Sequence, residues 1–303
     1  MTLPNFLIIG AAKSGTSALY AYINQHPQVF MPEQKELRYF SSIDNPENQG
    51  PKVYKNPSIQ SLEVYQEQFS RQTNELAIGE ASPQYLYYPQ TPKRIFDILP
   101  DIKIISILRN PVKRAYSSYL HAVRDWHETA DNFQNAVQME NERITAGWPM
   151  LFHYVNAGFY YQQLIRYFDT FDKDQIRVII YDDFIEKPDL VIRDLFKFLE
   201  IDPEFSPDMS SKPNVSGYPK NKFIDQIYKK LFKDYTLTHT LAKKILPGKK
   251  LKTWTKKIRN SNLHKIPLDQ EMSGYLANQY KDEIMKLQDL LQRKLPNWLN
   301  PHN

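Results

Sequence analysis

The sequence predicts an α/β fold, in which a central parallel sheet is flanked by helices and carries a phosphate-binding loop, with a helical C-terminal part. Short apolar runs of strand type alternate with stretches of helical periodicity through the first 200 residues, an order typical of parallel sheets. The first run, at residues 6–9, leads through a glycine-containing loop directly into a helix. We expect one domain over residues 1–303, closed by a C-terminal helix at 268–298 that packs on the core.

The loop at residues 10–17, Gly-Ala-Ala-Lys-Ser-Gly-Thr-Ser, has the build of a phosphate cradle. Glycine lets the backbone approach a ligand closely. The first N–H groups of the following helix have no internal partner and therefore attract an anion. The predicted phosphate ligands are Lys13, Ser14, Gly15, Thr16 and Ser17. The alternative is an ordinary strand-to-helix turn with a Thr N-cap.

This loop differs from the version that binds nucleoside triphosphates. In that motif, G-x-x-x-x-G-K-[ST], a Lys follows the second Gly and the hydroxyl holds Mg²⁺. Here Lys13 precedes Gly15, and Thr16 stands where that Lys would be. We therefore expect a phosphate loop built for another donor, working without a metal ion.

The amino-acid composition and net charge exclude several types of protein. Cysteine is absent, which excludes a disulfide scaffold, a thiol nucleophile and a cysteine-based zinc site. The net charge of +5 suits an anionic ligand and is too small to indicate nucleic acid as the partner. No apolar stretch approaches the roughly 20 residues of a membrane span, and the N-terminus lacks a signal-peptide pattern. We expect a soluble, cytoplasmic protein.

Further strands and helices alternate after the first loop. The predicted strands lie at 102–108 and 176–181. Residues 26–32 are predicted to form a turn and a short strand, and residues 76–83 a short strand that breaks into a loop. The predicted helices lie at about 61–70, 91–99, 112–125, 132–146, 158–171, 188–199 and 268–293.

A second anion site is predicted where the strand at 102–108 ends. Arg109 follows the strand directly and offers a planar fork suited to phosphate. Ser117 lies in the second turn of the next helix. Since ligands of parallel sheets bind beyond the carboxyl ends of the strands, Arg109 and Lys13 face the same crevice. A ligand with two separated phosphate-type groups would satisfy both sites. The alternative for Arg109 is a structural salt bridge.

Residues 212–260 are strongly basic, with 13 Lys and one Arg against two Asp. Apolar residues recur there at helical spacing, so that residues 212–265 are predicted to form a basic helical segment. The simplest interpretation is an amphipathic helix with a solvated Lys face. The alternatives are a basic wall for an anionic acceptor and a peripheral contact with a membrane surface.

Four motifs resemble those of sulfotransferases that use 3′-phosphoadenosine 5′-phosphosulfate (PAPS). The resemblance is strongest to the branch with the heparan sulfate and N-deacetylase/N-sulfotransferase enzymes and their bacterial homologues, and it extends over about residues 5–200. The first and last motifs together are highly specific. The motifs lie at residues 8–19, 35–40 (Lys-Glu-Leu-Arg-Tyr-Phe), 80–83 (Glu-Ala-Ser-Pro) and 108–117 (Leu-Arg-Asn-Pro onward).

The resemblance implies a role for each matching residue in binding the donor. Residues 13–17 would cradle the 5′-phosphosulfate, with Lys13 neutralising the bridging oxygen as the S–O bond breaks. Arg109 and Ser117 would hold the 3′-phosphate. Lys220 and Lys222 match, more loosely, a basic loop that closes over the nucleotide.

The resemblance also implies catalytic and acceptor-binding roles. Glu36 would be the general base that takes the proton of the acceptor, and the acceptor would lie near Lys35, Arg38 and Ser82. A related branch uses a His base, but His121 follows Ser117 by one helical turn and is expected near the 3′-phosphate. His26 is expected to be a packing or capping residue.

Two departures from the heparan-type enzymes concern the acceptor. Arg38 stands where these enzymes often carry His, and Ala81 where they often carry Lys, so the acceptor is not expected to be heparan sulfate itself. A glycan, a lipid-linked sugar or a small-molecule alcohol or amine fits the sequence. Two other functions stay open at this point: a phosphate-loop kinase of a small molecule, and a non-catalytic protein that binds a nucleotide or an anionic glycan.

Overall fold

The computed structural model describes residues 2–41, 58–210, 218–219, 263–264 and 266–300. A five-stranded sheet in the order β2-β3-β1-β4-β5 forms its centre, and every neighbouring pair of strands is parallel. A short antiparallel pair, β6 with β7, lies apart from it. The strands are β1 (Phe6–Gly10), β2 (Val29–Phe30), β3 (Ala77–Ala81), β4 (Lys103–Leu108), β5 (Ile176–Ile180), β6 (Tyr218–Pro219) and β7 (Leu263–His264).

Helices connect the strands and follow the last of them. They are α1 (Thr16–Ile23), α2 (Leu62–Glu67), α3 (Thr91–Ile98), α4 (Pro111–Arg124), α5 (Phe133–Gln138), α6 (Glu140–Thr145), α7 (Tyr160–Phe168), α8 (Tyr181–Glu186), α9 (Pro188–Phe198), α10 (Gln270–Leu291) and α11 (Pro296–Leu299). The predicted parallel α/β fold is confirmed. Within the described ranges, none of the helices combines the length and the apolar character that crossing a bilayer requires.

The central strand β1 is buried on both faces of the sheet. Leu7 and Ile9 pack into one apolar cluster, together with residues of α4, α7 and α10. Phe6 and Ile8 point the other way, into a second cluster with residues of α1, α8 and α9. Because successive side chains of a strand alternate between faces, a continuous apolar run of this kind needs cover on both sides. Each such side chain contributes about 1.5–3 kcal/mol through burial.

Two helical regions differ from the prediction: one predicted helix is divided, and one further helix is present. The helix expected at 132–146 is divided at Met139 into α5 and α6. Immediately after this break, the buried Glu140 carboxylate accepts the N–H groups of Val155 and Asn156, both at 2.7 Å, which ties α6 to the loop before α7. Helix α8 was not predicted. Its first turn carries Asp182 and Asp183, which favour a helix N-terminus, and the strand predicted at 176–181 overlaps its first residue, Tyr181.

The C-terminal helix α10 lies against α7. The Tyr280 hydroxyl donates to the carbonyl of Val155 at 2.8 Å, and Gln162 Nε2 donates to Glu283 Oε1 at 2.9 Å. In α11, Trp298 is buried and its Nε1 donates to Asp182 Oδ2 at 3.2 Å. The single-domain organisation over 1–303 stays a prediction, and the basic segment at 212–265 lies almost wholly outside the described residues.

Candidate active site

The loop after β1 leads into α1 with an open helix N-terminus. Gly15 is the N-cap, in the left-handed conformation with φ 101°, and none of the described side chains caps this end. A Cβ atom at Gly15 would lie 3.0 Å from the ring of Tyr181, so both the conformation and the space require glycine here. The alternative of a Thr16-capped turn is therefore wrong. The first N–H groups of α1 are left for a ligand.

Ser14 lies inside the loop. Its side chain is fully buried, and its hydroxyl interacts with the hydroxyl of Tyr160. A contact between Ser14 and a ligand stays a prediction. The open helix end and the Lys13 ammonium together fit a phosphate-type anion.

The Lys13 ammonium lies in a largely buried position. Burial lowers its pKa to about 8, and the nearby charge of Arg124 adds to this lowering. The negative charges of Asp125 and Glu36 raise the pKa of Lys13 and so oppose this lowering in part. Lys13 is therefore positively charged at neutral pH, and its charge becomes sensitive to pH just above the physiological range.

Arg109 lies against the same loop. Its Nη1 donates to the carbonyl of Lys13 at 3.3 Å, and its guanidinium stacks over the ring of Tyr181 with 5.0 Å to the centroid. The Tyr160 hydroxyl donates to the Arg109 carbonyl at 3.0 Å. Within the described part of the chain, the Arg109 guanidinium contacts a carbonyl group and an aromatic ring. The alternative of a structural salt bridge would need a carboxylate at this position, and none of the described carboxylates pairs with Arg109.

Ser117 lies half-buried in the second turn of α4, as predicted. The turn that separates it from Arg109 is set by Asn110, whose Oδ1 accepts the N–H groups of Val112 and Lys113 at 3.0 and 3.2 Å. A shared ligand of Arg109 and Ser117 stays a prediction.

The segment that carries Glu36 reaches the phosphate loop through Lys35. Lys35 Nζ donates to Ser17 Oγ at 2.7 Å and lies 3.8 Å from Glu36 Oε1. The Arg38 guanidinium pairs with the other Glu36 oxygen, Oε2. Burial lowers the pKa of Lys35. Four of the predicted site residues, Ser17, Lys35, Glu36 and Arg38, thus form one connected group that begins on α1.

Three site residues have left-handed backbone conformations although none is glycine: Lys13 (φ 68°), Glu36 (φ 64°) and Arg38 (φ 61°). Such conformations cost on the order of 1–3 kcal/mol each and persist only where the surrounding structure holds them. The same surroundings therefore set the direction of the Lys13 and Glu36 side chains.

Ser82 is fully buried after the end of β3. Its Oγ accepts the Arg38 N–H at 3.0 Å and donates to Glu80 Oε2 at 2.7 Å. The structure thus commits this hydroxyl to internal bonds, whereas the sequence predicted a contact with the acceptor. Burial raises the pKa of Glu80 to about 7, although hydroxyl donors, of which Tyr85 has the largest effect, oppose the rise.

The C-terminal end of α4 also belongs to this site. His121 Nδ1 lies 2.7 Å from Arg124 Nη2 and 3.4 Å from Asp125 Oδ2. Burial, followed by the charges of Lys13 and Arg124, lowers the pKa of His121 to about 3. His121 thus lies within the electrostatic influence of Lys13, and its expected position near the 3′-phosphate stays a prediction.

Sequence reasoning missed Glu80, Arg124 and Asp125. The spacing of residues 121, 124 and 125 places them on one helix face and was the available signal for the last two. For Glu80 the motif at 80–83 was noted, but nothing in it shows that the carboxylate is buried.

The remaining predicted residues divide into two groups. His26 is a packing and capping residue: its Nδ1 accepts the Gln28 N–H at 3.0 Å and its ring packs edge-on against Phe196 and Phe205. Lys220 and Lys222 lie outside the described residues. Among the residues that are described, no group of three or more His, Asp or Glu side chains could hold a metal ion.

Comparison with known proteins points to one family. The family model described as "Sulfotransferase domain" matches residues 3–266. Over its full length the chain is similar to a sulfotransferase from Alicyclobacillus acidocaldarius of known crystal structure, with 30% identity, a TM-score of 0.75, and coverage of 99% of this chain and 100% of the other.

Curated relatives agree with this result. The mouse bifunctional heparan sulfate N-deacetylase/N-sulfotransferase 4 is 27% identical over 98% of this chain and 31% of its own length. The membrane-associated sulfotransferase kil1 of Dictyostelium discoideum is 37% identical over 41% of this chain and 24% of its own length. Human heparan sulfate glucosamine 3-O-sulfotransferase 5 is 28% identical over 67% of this chain and 55% of its own length. The chain thus spans between a quarter and just over half of these relatives.

Proposed function

Because the chain belongs to the sulfotransferase family, we propose that it transfers the sulfuryl group of PAPS to a hydroxyl or amine of an acceptor. One observation carries this proposal: the hydrogen bond from Lys35 to Ser17 joins the segment of Glu36, the candidate base, to the helix that follows the Lys13 loop. These groups lie at the carboxyl ends of the parallel strands, where such sheets bind their ligands.

The donor would be held by residues at both edges of the crevice. Residues 13–17 and the N-terminus of α1 would bind the 5′-phosphosulfate, and Arg109 with Ser117 the 3′-phosphate. Lys220 and Lys222 would close over the nucleotide. PAPS supplies an activated sulfuryl group whose transfer leaves 3′-phosphoadenosine 5′-phosphate (PAP) behind.

Lys13 would stabilise the negative charge that develops on the 5′-phosphate as the bond to sulfur breaks. Its ammonium is preorganised there by the left-handed backbone and by burial, and a buried charge acts more strongly than one in water. The open N-terminus of α1 adds partial positive charge at the same place. This arrangement supplies the charge without a metal ion.

Glu36 would accept the proton of the acceptor as its oxygen or nitrogen bonds to sulfur. The Glu36 carboxylate is held by Lys35 and Arg38, so it is oriented before the acceptor arrives. A related branch uses a His base, but His121 has its Nδ1 turned instead to Arg124 Nη2 at 2.7 Å and Asp125 Oδ2 at 3.4 Å. We therefore assign the base to Glu36, with Lys35 and Arg38 beside the acceptor.

The acceptor is proposed to be a glycan, a lipid-linked sugar or a small metabolite. Names of the relatives point to glycans, but Arg38 and Ala81 differ from the heparan-type pattern. In this structure Arg38 is paired with Glu36, and Ala81 is buried with its carbonyl accepting the Glu36 N–H at 3.1 Å. We propose a cytoplasmic location, with the basic segment at 212–260 facing either the acceptor or a membrane surface.

The affinity for PAP is expected to depend on the protonation of Lys13. Since Lys13 carries its charge below its pKa of about 8, raising the pH from 7 to 9.5 should weaken PAP binding about 10-fold. Calorimetric titration at several pH values measures this, with Lys13→Met as the control that should bind more weakly and nearly independently of pH. An equal pH dependence in both proteins would remove Lys13 from the binding site.

The proposed donor is tested by titrating the protein with PAP and with ATP, each with and without Mg²⁺. We expect PAP to bind more tightly than ATP and independently of Mg²⁺. A preference for Mg-ATP would indicate a kinase and contradict the roles of Arg109, Ser117 and Glu36 together.

Turnover is then measured by transfer of a labelled sulfuryl group from PAPS to a panel of sugars, alcohols and amines. Transfer to at least one class of acceptor is expected. Tight PAP binding without transfer to any acceptor or to water would favour a non-catalytic binding protein.

A further inference from the structure

The backbone of the Glu36 segment is fastened to the end of β3 at two points. The Glu36 N–H donates to the carbonyl of Ala81 at 3.1 Å, and the Arg38 N–H donates to Ser82 Oγ at 3.0 Å. The two N–H groups belong to the two residues of this segment with a left-handed backbone, Glu36 (φ 64°) and Arg38 (φ 61°). The second bond uses a side chain, so a single substitution can remove it without altering the backbone.

Ser82 can hold Arg38 because its own hydroxyl proton is already engaged. Glu80 Oε2 accepts that proton at 2.7 Å, which leaves an Oγ lone pair directed to the Arg38 N–H. Glu80 is in turn held by two tyrosine hydroxyls at Oε1, that of Tyr85 at 2.6 Å and that of Tyr65 at 3.4 Å. All four side chains are buried, so their polar groups find their partners within this network.

We propose that Glu80 and Ser82 form a positioning pair that holds the backbone of residues 36–38 and thereby directs the Glu36 carboxylate toward the phosphate loop. The pair itself touches neither donor nor acceptor and acts through Glu36. The inference rests on the proposed function, since it presumes that Glu36 is the base. It explains why a buried carboxylate, with hydroxyl groups as its hydrogen-bond donors, lies near the end of β3 beside the site.

Ser82→Ala tests the pair. Because a shift of about 1 Å in a catalytic group can cost on the order of 10²-fold, we expect kcat to fall about 10- to 100-fold. The Kd for PAP should stay within about twofold, since the donor contacts are untouched. Ser106→Ala is the matched control: this serine of β4 is also fully buried, and its hydroxyl has no partner among the described residues. It should leave kcat unchanged.

A double variant separates positioning from general loss of structure. If Ser82 acts through Glu36, adding Ser82→Ala to Glu36→Gln should lower kcat by less than about twofold further. An equal loss in both backgrounds, or a loss of PAP affinity that matches the loss of kcat, would overturn the proposal. If Glu36→Gln leaves kcat unchanged, the base assignment fails and the positioning pair fails with it; if only Ser82→Ala has no effect, the pair alone is wrong.

Hydrogen exchange provides a test in the free protein, without donor or acceptor. The Arg38 amide is expected to exchange faster in Ser82→Ala and in Glu80→Gln than in the wild type, and at the wild-type rate in Ser106→Ala. Unchanged protection of Arg38 in Ser82→Ala would contradict the proposed bond. Should Glu80→Gln fail to fold, Ser82→Ala alone decides.

Discussion

Glu36→Gln is expected to lower kcat by about 10²- to 10⁴-fold, the usual contribution of a general base, or about 3–5 kcal/mol in activation free energy. Gln keeps the size of the side chain and a hydrogen-bonding oxygen for Arg38, but it cannot take the proton of the acceptor. The Kd for PAP should change little, since the base is needed only when the acceptor reacts. Steady-state kinetics with the acceptor found in the panel, together with PAP calorimetry, measure both quantities.

The control for this variant is Glu204→Gln. It removes the same charge from an exposed ion pair with Arg193 at 3.1 Å, outside the site, and should leave kcat unchanged. Near-normal turnover of Glu36→Gln would exclude Glu36 as the base. In that event, His121 becomes the residue to substitute next, because its ring lies within the influence of Lys13.

Arg109→Ala is expected to weaken PAP binding by about 10- to 100-fold, since hydrogen bonds to charged groups contribute roughly 1.5–3 kcal/mol. Adenosine 5′-phosphosulfate lacks the 3′-phosphate, and its affinity should fall far less. Calorimetric titration of wild type and variant with both nucleotides isolates the 3′-phosphate contribution. The comparison matters because Arg109 also touches the phosphate loop through the Lys13 carbonyl.

Two results would contradict the assignment of Arg109. Equal weakening of both nucleotides would mean that Arg109 supports the loop rather than the 3′-phosphate. No weakening of either would remove it from the site altogether. Arg193→Ala, which removes an exposed arginine on α9, is the matched control and should leave both affinities unchanged.

Much of the donor-binding side of the site can be predicted from local patterns in the sequence. The phosphate loop, the strand that ends at Arg109 and the position of Ser117 in the next helix are all short-range features, so they can be predicted from neighbouring residues. Parallel strands also bring their carboxyl ends to one edge of the sheet, so the strand order alone predicts that Lys13 and Arg109 share one crevice.

The acceptor side depended on contacts between segments that are distant in the chain. The left-handed conformations of Glu36 and Arg38 cannot be predicted from their side-chain types, because these residues adopt them only when the surrounding structure compensates their cost. The link from Lys35 to Ser17 likewise joins residues 18 positions apart, and no periodic pattern encodes it.

The sequence by itself therefore determined the fold class, the phosphate loop and the residue types of the proposed catalytic group. Only the tertiary structure decided that Ser82 is turned inward to Glu80 and that His121 lies under the influence of Lys13. The physical reason is that hydrogen-bond direction and burial are properties of the packed chain. A serine or histidine with the same sequence neighbours can face either a ligand or the core, and the packing of β3 and α4 decides between the two.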